Sequence, residues 1–256
     1  ENLTGGVGNI ALGREALEAL TTGNNNVAVG NHALEAQNGS EVVAVGSAAG
    51  LVFTSTDSVF VGYAAGKFTT SGAGQTFVGH SAGKGTGTAL TGTNNTAMGR
   101  DSGLVLQGNA YSNTFYGANS GGGVTTGDEN TYIGYDAGVL MTSGSQNTIL
   151  GAFDGNQGGL DIRTGSNNIV LSDGAGNPRV VVDSSGNLLV GHTLADVDTL
   201  VDDNTVGITL KSNGEILASS VATVATLERE NSDGDLIEFR KDGTTVGSIG
   251  TRGGKL

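Results

Sequence analysis

Apolar triplets closed by a glycine recur along most of the chain. The closing glycines are Gly13, Gly30, Gly46, Gly62, Gly79, Gly99, Gly117, Gly134 and Gly151, spaced by 17, 16, 16, 17, 20, 18, 17 and 17 residues. Ser172 and Gly191 continue the series more loosely, giving about eleven units. The last triplet position is always apolar, from Leu12, Val29 and Val45 through Met98 and Tyr116 to Ile133, Leu150, Leu171 and Val190. The first is β-branched or aliphatic: Ile10, Val27, Val43, Val59, Thr76, Thr96, Thr114, Thr131, Thr148, Ile169 and Leu188. The middle one is Ala11, Ala28 and Ala44, then Phe60, Phe77, Phe115, Tyr132 and Ile149. Asparagine precedes the triplet at Asn9, Asn26, Asn95, Asn113, Asn130, Asn147, Asn168 and Asn187.

The pattern predicts one short strand of about four residues per unit. Alternate strand residues share a face. The first and third positions are therefore assigned to the interior of a coil and the middle position to its outside. On that assignment the threonine column stacks inside the coil and forms no ice-binding array. Asn is expected at a corner, bonded to local backbone. The closing glycine turns the chain where a Cβ would clash. A small residue three positions on (Ala16, Ala33, Ala49, Ala65, Ala82, Ser102, Ser120, Ala137), followed by Leu17, Leu34 or a glycine, makes another corner. Two strand-plus-corner segments then close a coil of roughly 17 residues, and coils stack at about 4.8 Å. Arg14–Leu20 and His32–Ala36 have helical propensity but are too short for stable helices, so they are read as turn-like bulges. An outward column of Phe, Tyr and Ile would be an exposed apolar stripe, the mark of an interface. A homotrimer is the preferred reading.

Near residue 160 the pattern changes. Asp173-Gly174, Ser185-Gly186, Asn213-Gly214, Asp233-Gly234 and Asp242-Gly243 are tight-turn signals between apolar runs. Those runs include Arg179–Val182, Gly207–Leu210, Leu236–Phe239 and Thr245–Ile249. The only proline, Pro178, is placed at a strand start, where a missing N–H costs little. The domains are thus 1–160, a β-solenoid of about nine repeats of 16–20 residues, and 161–256, a β-rich shaft or tip.

Composition supports a thin repeating coil over an ordinary globule. The 256 residues include 46 glycines, no Trp, no Cys and only 5% aromatics, too few bulky groups for a conventional core. The net charge of −13 and the lack of a basic run disfavour nucleic acid as a partner. No apolar run approaches the ~18 residues of a membrane span, and Glu1-Asn2-Leu3-Thr4 does not read as a signal peptide. Without cysteine there are no disulfides or thiolate metal sites.

No catalytic, cofactor or metal residue is assigned, and the chain is read as not an enzyme. Glu15, Asp101, Asp136 and Asp154 recur near one corner, where stacked carboxylates could supply a glycan-cleaving acid and base. A solvated edge column is the preferred reading. His32, His80 and His192 lie far apart and are not taken as metal ligands. Asp161, Asp173 and Asp183 sit in turns that could hold a cation. Gly121-Gly122-Gly123 lacks the following Lys-Ser/Thr of a phosphate loop, and no Gly-Gly-x-Gly-x-Asp calcium nonapeptide occurs. Tyr63, His80, Arg100 and Tyr135 follow closing glycines, where rings could stack on sugars. Surface or interface packing is preferred for them.

Thr22-Gly23-Asn24-Asn25-Asn26-Val27-Ala28-Val29-Gly30-Asn31-His32-Ala33-Leu34 resembles the head repeats of trimeric autotransporter adhesins of the YadA type, and is similar to repeats of bacteriophage tail fibres. Val182-Asp183-Ser184-Ser185-Gly186-Asn187-Leu188-Leu189-Val190-Gly191 and the stretch from Asn231 to Gly250 resemble tail-fibre segments more closely. The resemblance spans about residues 5–250. It implies a parallel homotrimer with a left-handed β-roll or β-solenoid followed by an intertwined shaft or tip. It also implies attachment to a host-cell glycan or protein, with other tail proteins as partners and the virion or an extracellular surface as location. In such fibres a self-cleaving chaperone domain often follows, which implies cleavage after Leu256. A bacterial surface adhesin and a polysaccharide-degrading tailspike are the alternatives.

Overall fold

The structure is a computed structural model describing residues 6–193, 207–220, 223–227 and 234–251. One strand stands in each unit: β1 (Ile10–Leu12), β2 (Val27–Val29), β3 (Val42–Val45), β4 (Ser58–Val61), β5 (Thr76–Val78), β6 (Thr96–Met98), β7 (Thr114–Tyr116), β8 (Thr131–Ile133) and β9 (Thr148–Leu150). A small hairpin, β10 (Asn156–Gln157) and β11 (Leu160–Asp161), precedes β12 (Ile169–Ser172). Then follow β13 (Pro178–Val182), β14 (Leu188–Val190), β15 (Gly207–Leu210), β16 (Ile216–Ser219), β17 (Gly234–Lys241) and β18 (Thr244–Thr251). The fold is all-β, with no helix among the described residues. It is a parallel β-solenoid of about 10 turns.

β1 to β9 and β12 pair in parallel, like residue on like residue: Thr114 on Thr131 on Thr148, and Phe115 on Tyr132 on Ile149. The same sheet continues through β13, β14, β15 and β16 with antiparallel pairing, making 14 strands in all. Leu188–Val190 therefore does not extend the coil series. It is a meander strand, and Gly191 has φ 79 where the closing glycines before Gly151 have φ 132 to 140. Turns at Asp173-Gly174, Ser185-Gly186, Asn213-Gly214 and Asp242-Gly243 connect strands as predicted, and Pro178 opens β13. Gly234 begins β17 instead of a turn, and Asp233 lies outside the described residues.

The expected second strand of each coil is replaced by turns. At the second and fourth positions after the glycine φ is positive, as at Glu15 (59), Leu17 (53), His32 (57), Leu34 (51) and Asp136 (56). The turns are laddered as well: Leu34 N–H donates to Ala49 O (3.0 Å) and Gly138 N–H to Phe153 O (2.8 Å) in the following coil. Asp136 N–H donates back to Ala118 O at 3.0 Å. Arg14–Leu20 and His32–Ala36 are two of these turns, not helices.

The faces of the strands are the reverse of the assignment made from the sequence. The middle residues Ala28, Phe60, Phe77, Phe115, Tyr132 and Ile149 are fully buried inside the coil. Ile10, Leu12, Val45, Tyr116, Ile133, Leu150 and Leu171, from the first and third positions, are exposed, and the threonine column lies with them on the outside. The Asn column explains the reversal. Asn and the middle residue are two apart and share a face, and buried Asn side chains bond coil to coil. Asn130 Nδ2 donates to Asn113 Oδ1 (3.1 Å) and Gly144 O (2.9 Å), while its Oδ1 accepts from Asn147 N (3.0 Å) and Asn147 Nδ2 (3.3 Å). The left-handed corner is the residue before, Glu129 at φ 55 or Gln146 at φ 60, not the Asn itself.

Three sets of side chains fill the interior. Opposite the middle column stand Leu17 and Leu34, then Gly50, Gly66, Gly83, Gly121 and Gly138. Large and small exchange across the coil: Ala28 belongs with Leu34, but Phe60 with Gly66 and Tyr132 with Gly138. A third column, Leu20, Phe53, Leu106, Val124 and Met141, closes the remaining side. Rings adjoin along the axis: Phe115 and Tyr132 stack at 5.2 Å between centroids, and Phe60 and Phe77 lie 5.8 Å apart, tilted by 51°.

The Tyr132 hydroxyl is buried without a hydrogen-bond partner. Burial pushes its phenol well above the usual range, with only weak opposition from Asn147, whose amide is committed to Asn130 and Gly165 O. Phe115 occupies the same column one coil earlier. Tyr132→Phe is therefore expected to leave stability equal or raise it by about 1 kcal/mol, since it removes an unsatisfied polar group. A urea-unfolding midpoint below that of the parent would contradict this.

Candidate functional site

The outer face of the 14-stranded sheet is the largest feature without an intramolecular role. Each strand contributes two side chains to it. Exposed apolar groups continue from the coils into the meander: Ile133, Leu150, Ile169, Leu171, Val190, Ile208, Leu210 and Ile216. At about 4.8 Å per strand the face is roughly 60 Å long. It carries apolar and threonine side chains along the coils, and among the described residues the strands of this sheet contact chiefly their own sheet neighbours. A patch on this scale stands at the upper end of the roughly 300–600 Å² that the largest patch of a soluble monomer covers, and patches of that size mark interaction surfaces. A recess in it is lined by Val78, Met98, Gly99, Tyr116 and Gly117, and Tyr116 is 57% exposed beside it. The hairpin of β17 and β18 likewise exposes Phe239, Val246 and Ile249. A lone two-stranded hairpin is marginal in water.

The corner after the closing glycine carries the polar candidates. Tyr63 and His80 stack on each other at 5.1 Å and 28°, one coil apart. Arg100 pairs with Asp101. Asp136 Oδ1 accepts from Asn119 Nδ2 at 2.8 Å, and Asp154 Oδ1 accepts from the Asn156 backbone N–H at 2.7 Å. Two coils separate Asp101 from Asp136, roughly 10 Å of stacking, while Asp136 and Asp154 line one recess.

Sequence separation hid one cluster. His32 Nδ1 lies 2.8 Å from Glu15 Oε2 and 2.7 Å from Glu35 Oε2, because stacking brings positions 17 residues apart together. The three ligand atoms lie within 4.8 Å of one another. The Arg14 guanidinium contacts both His32 Nε2 and Glu15, so Glu15 already has a cationic partner within the protein. His80 bonds Ser81 Oγ at 3.1 Å, and His192 is buried with Nε2 2.9 Å from Thr209 Oγ1. The three histidines are not brought together.

The turn aspartates are spent on their own turns. Asp173 Oδ1 accepts from the N–H groups of Ala175 and Asn177, and Asp183 Oδ1 from those of Ser185 and Asn187. The Arg179 guanidinium and Asn177 hold the Asp173 carboxyl well below the usual carboxylate range. Arg163 does the same to Asp161 through two hydrogen bonds. These arrangements need no cation to be satisfied.

No protein family, curated protein or solved structure matches the chain. Among the described residues no helix is long and apolar enough to cross a membrane.

Proposed function

We propose that the chain is a segment of a trimeric attachment fibre, of the phage tail-fibre kind, that presents a host-recognition surface. The carrying observation is the long outer face of the sheet, on which exposed apolar and threonine side chains stand in columns from strand to strand. A ladder of side chains repeating at about 4.8 Å is matched best by another ladder of the same period, which favours parallel copies of this chain as the occupant. A face roughly 60 Å long and 10 Å wide approaches the ~800 Å² per partner of a standard interface. Three copies would cover all three such faces around one axis. The corners beside the strands carry the polar residues, and the charge of −13 keeps rods soluble and apart. Three identical surfaces on one rod raise avidity above that of a single weak site.

Two exposed positions on the face, Ile133 and Leu150, serve as the test. Ile133→Glu with Leu150→Glu is expected to separate the copies while leaving the coil core untouched, because neither side chain enters it. Fluorescently labelled parent protein should adsorb to at least one bacterial envelope in a panel, and the dissociated variant should adsorb about a hundredfold more weakly, the lower end of avidity gains. Adsorption to none, or equal adsorption by both, would sink the proposal. Release of oligosaccharide from capsule would instead favour a degrading tailspike.

A further inference from the structure

We infer that the recess at the last regular coils is a subsite for one non-anionic pyranose residue of a glycan. This deepens the attachment reading by giving it a ligand class. The recess holds about 250 Å³ and is lined by Tyr135, Asp136, Val139, Ala152, Asp154 and Gln157, with the Gly174–Ala175 turn as a wall. It lies where the period breaks, as β10 and β11 and the β12–β13 turn rise beside the stack.

Two observations select the ligand. The first is the ring. Tyr63 is 55% exposed, but one face of its ring is stacked on its column neighbour His80. Tyr135 has Ala118 and Ala152 in the equivalent places of the adjoining coils, and is 64% exposed. Its ring is the corner aromatic left free for an apolar sugar face. The second is hydrogen-bond polarity. Asp136 and Asp154 each have one oxygen committed, to Asn119 and to the Asn156 N–H, and the other open. Gln157 directs its amide N–H groups to Ala175 O at 2.8 Å and Asn177 Oδ1 at 3.5 Å and keeps Oε1 as an acceptor. Apart from the Tyr135 hydroxyl, the uncommitted side-chain atoms lining the recess are all acceptors. They require a ligand rich in donors, such as sugar hydroxyls or an ammonium. The nearby cation, Arg163, is bound to Asp161 by bonds of 2.9 and 2.7 Å and also interacts with the charge of Asp154, while among the described residues no cation is paired with Asp136. Uronic and sialic acids are disfavoured by charge, and an amino sugar is favoured over a neutral one.

Saturation-transfer NMR on the purified protein tests this with D-glucosamine, methyl β-D-glucopyranoside and D-glucuronate as probes. Transfer is expected to the first two and not to glucuronate. Tyr135→Ala should abolish it, Tyr63→Ala should leave it unchanged, and Asp136→Asn with Asp154→Asn should weaken glucosamine binding about fivefold relative to the glucoside, the effect of one exposed ion pair. The proposal is overturned by transfer to none of the probes, by equal transfer to glucuronate, or by transfer that survives Tyr135→Ala. The assay uses free sugars and no cells, so it succeeds or fails independently of the adsorption experiment.

Discussion

Gly134→Ala is expected to cost about 3 kcal/mol or more, among the largest single-residue losses in the chain. Gly134 has φ 140, a region that L side chains rarely adopt, and a Cβ there would overlap the carbonyl oxygen of Gly151 in the next coil. The obstacle is backbone, so no side-chain rotation relieves it. Relief would come only by separating two coils, which would stretch the ladder on both sides, including the Gly134 N–H to Tyr116 O and Gly151 N–H to Ile133 O bonds of 2.8 and 2.9 Å. Gly174→Ala is the control, because nothing lies within 4 Å of its Cβ position. Urea unfolding of the two variants should separate them clearly. Equal midpoints would show that the close approach of coils at the glycine column is not a constraint.

Asn130→Asp should be at least as damaging, on the order of 4 kcal/mol at neutral pH. The substitution keeps the shape of the side chain, so it isolates hydrogen bonding from packing. The donor Nδ2 becomes an oxygen facing two acceptors, Asn113 Oδ1 and Gly144 O, and brings a charge into a fully buried position. The other oxygen still meets the Asn147 N–H and amide, which is far too little to offset the desolvation of a carboxylate. Because Asn95, Asn113, Asn130, Asn147 and Asn168 form one chain of such bonds, the neighbouring rungs should lose amide-exchange protection along with position 130. Stability within 1 kcal/mol of the parent would contradict a structural role for the ladder.

The period, the glycine column and most of the later turns could be read directly from residue types, because each rests on a local backbone demand. Gly134 is glycine for a reason that is the same in every coil, so it recurs visibly. Which face of a three-residue strand is inside was not legible from alternation, since Thr131 and Ile133 on one side and Tyr132 on the other are both compatible with an interior. Two signals carried the answer. Asn130 shares the parity of Tyr132, and a full column of asparagines makes sense where each can bond the next. The exchange of Ala28 and Leu34 for Phe60 and Gly66 likewise marks two columns that share one volume. The third core column, seven residues after the closing glycine, was hidden because Gln37 and Thr69 interrupt it with buried polar residues and the 20-residue spacing from Gly79 to Gly99 shifts Leu90 out of line with Leu106 and Val124. The Glu15–His32–Glu35 cluster and the Tyr135 recess depend on contacts between coils and on the hairpin of β10 and β11, which residue spacing does not display.

With the reversal of faces the proposed interface moves to different residues. Ile133 and Leu150 now carry it, and Tyr132 has become core. Sedimentation equilibrium of the purified chain at micromolar concentration is the most direct test of the central claim that copies of this chain cover the outer face. The expected species has three times the 25.4 kDa chain mass and falls apart in the Ile133→Glu, Leu150→Glu variant. A stably folded species of one chain mass, unchanged by that variant, would contradict it.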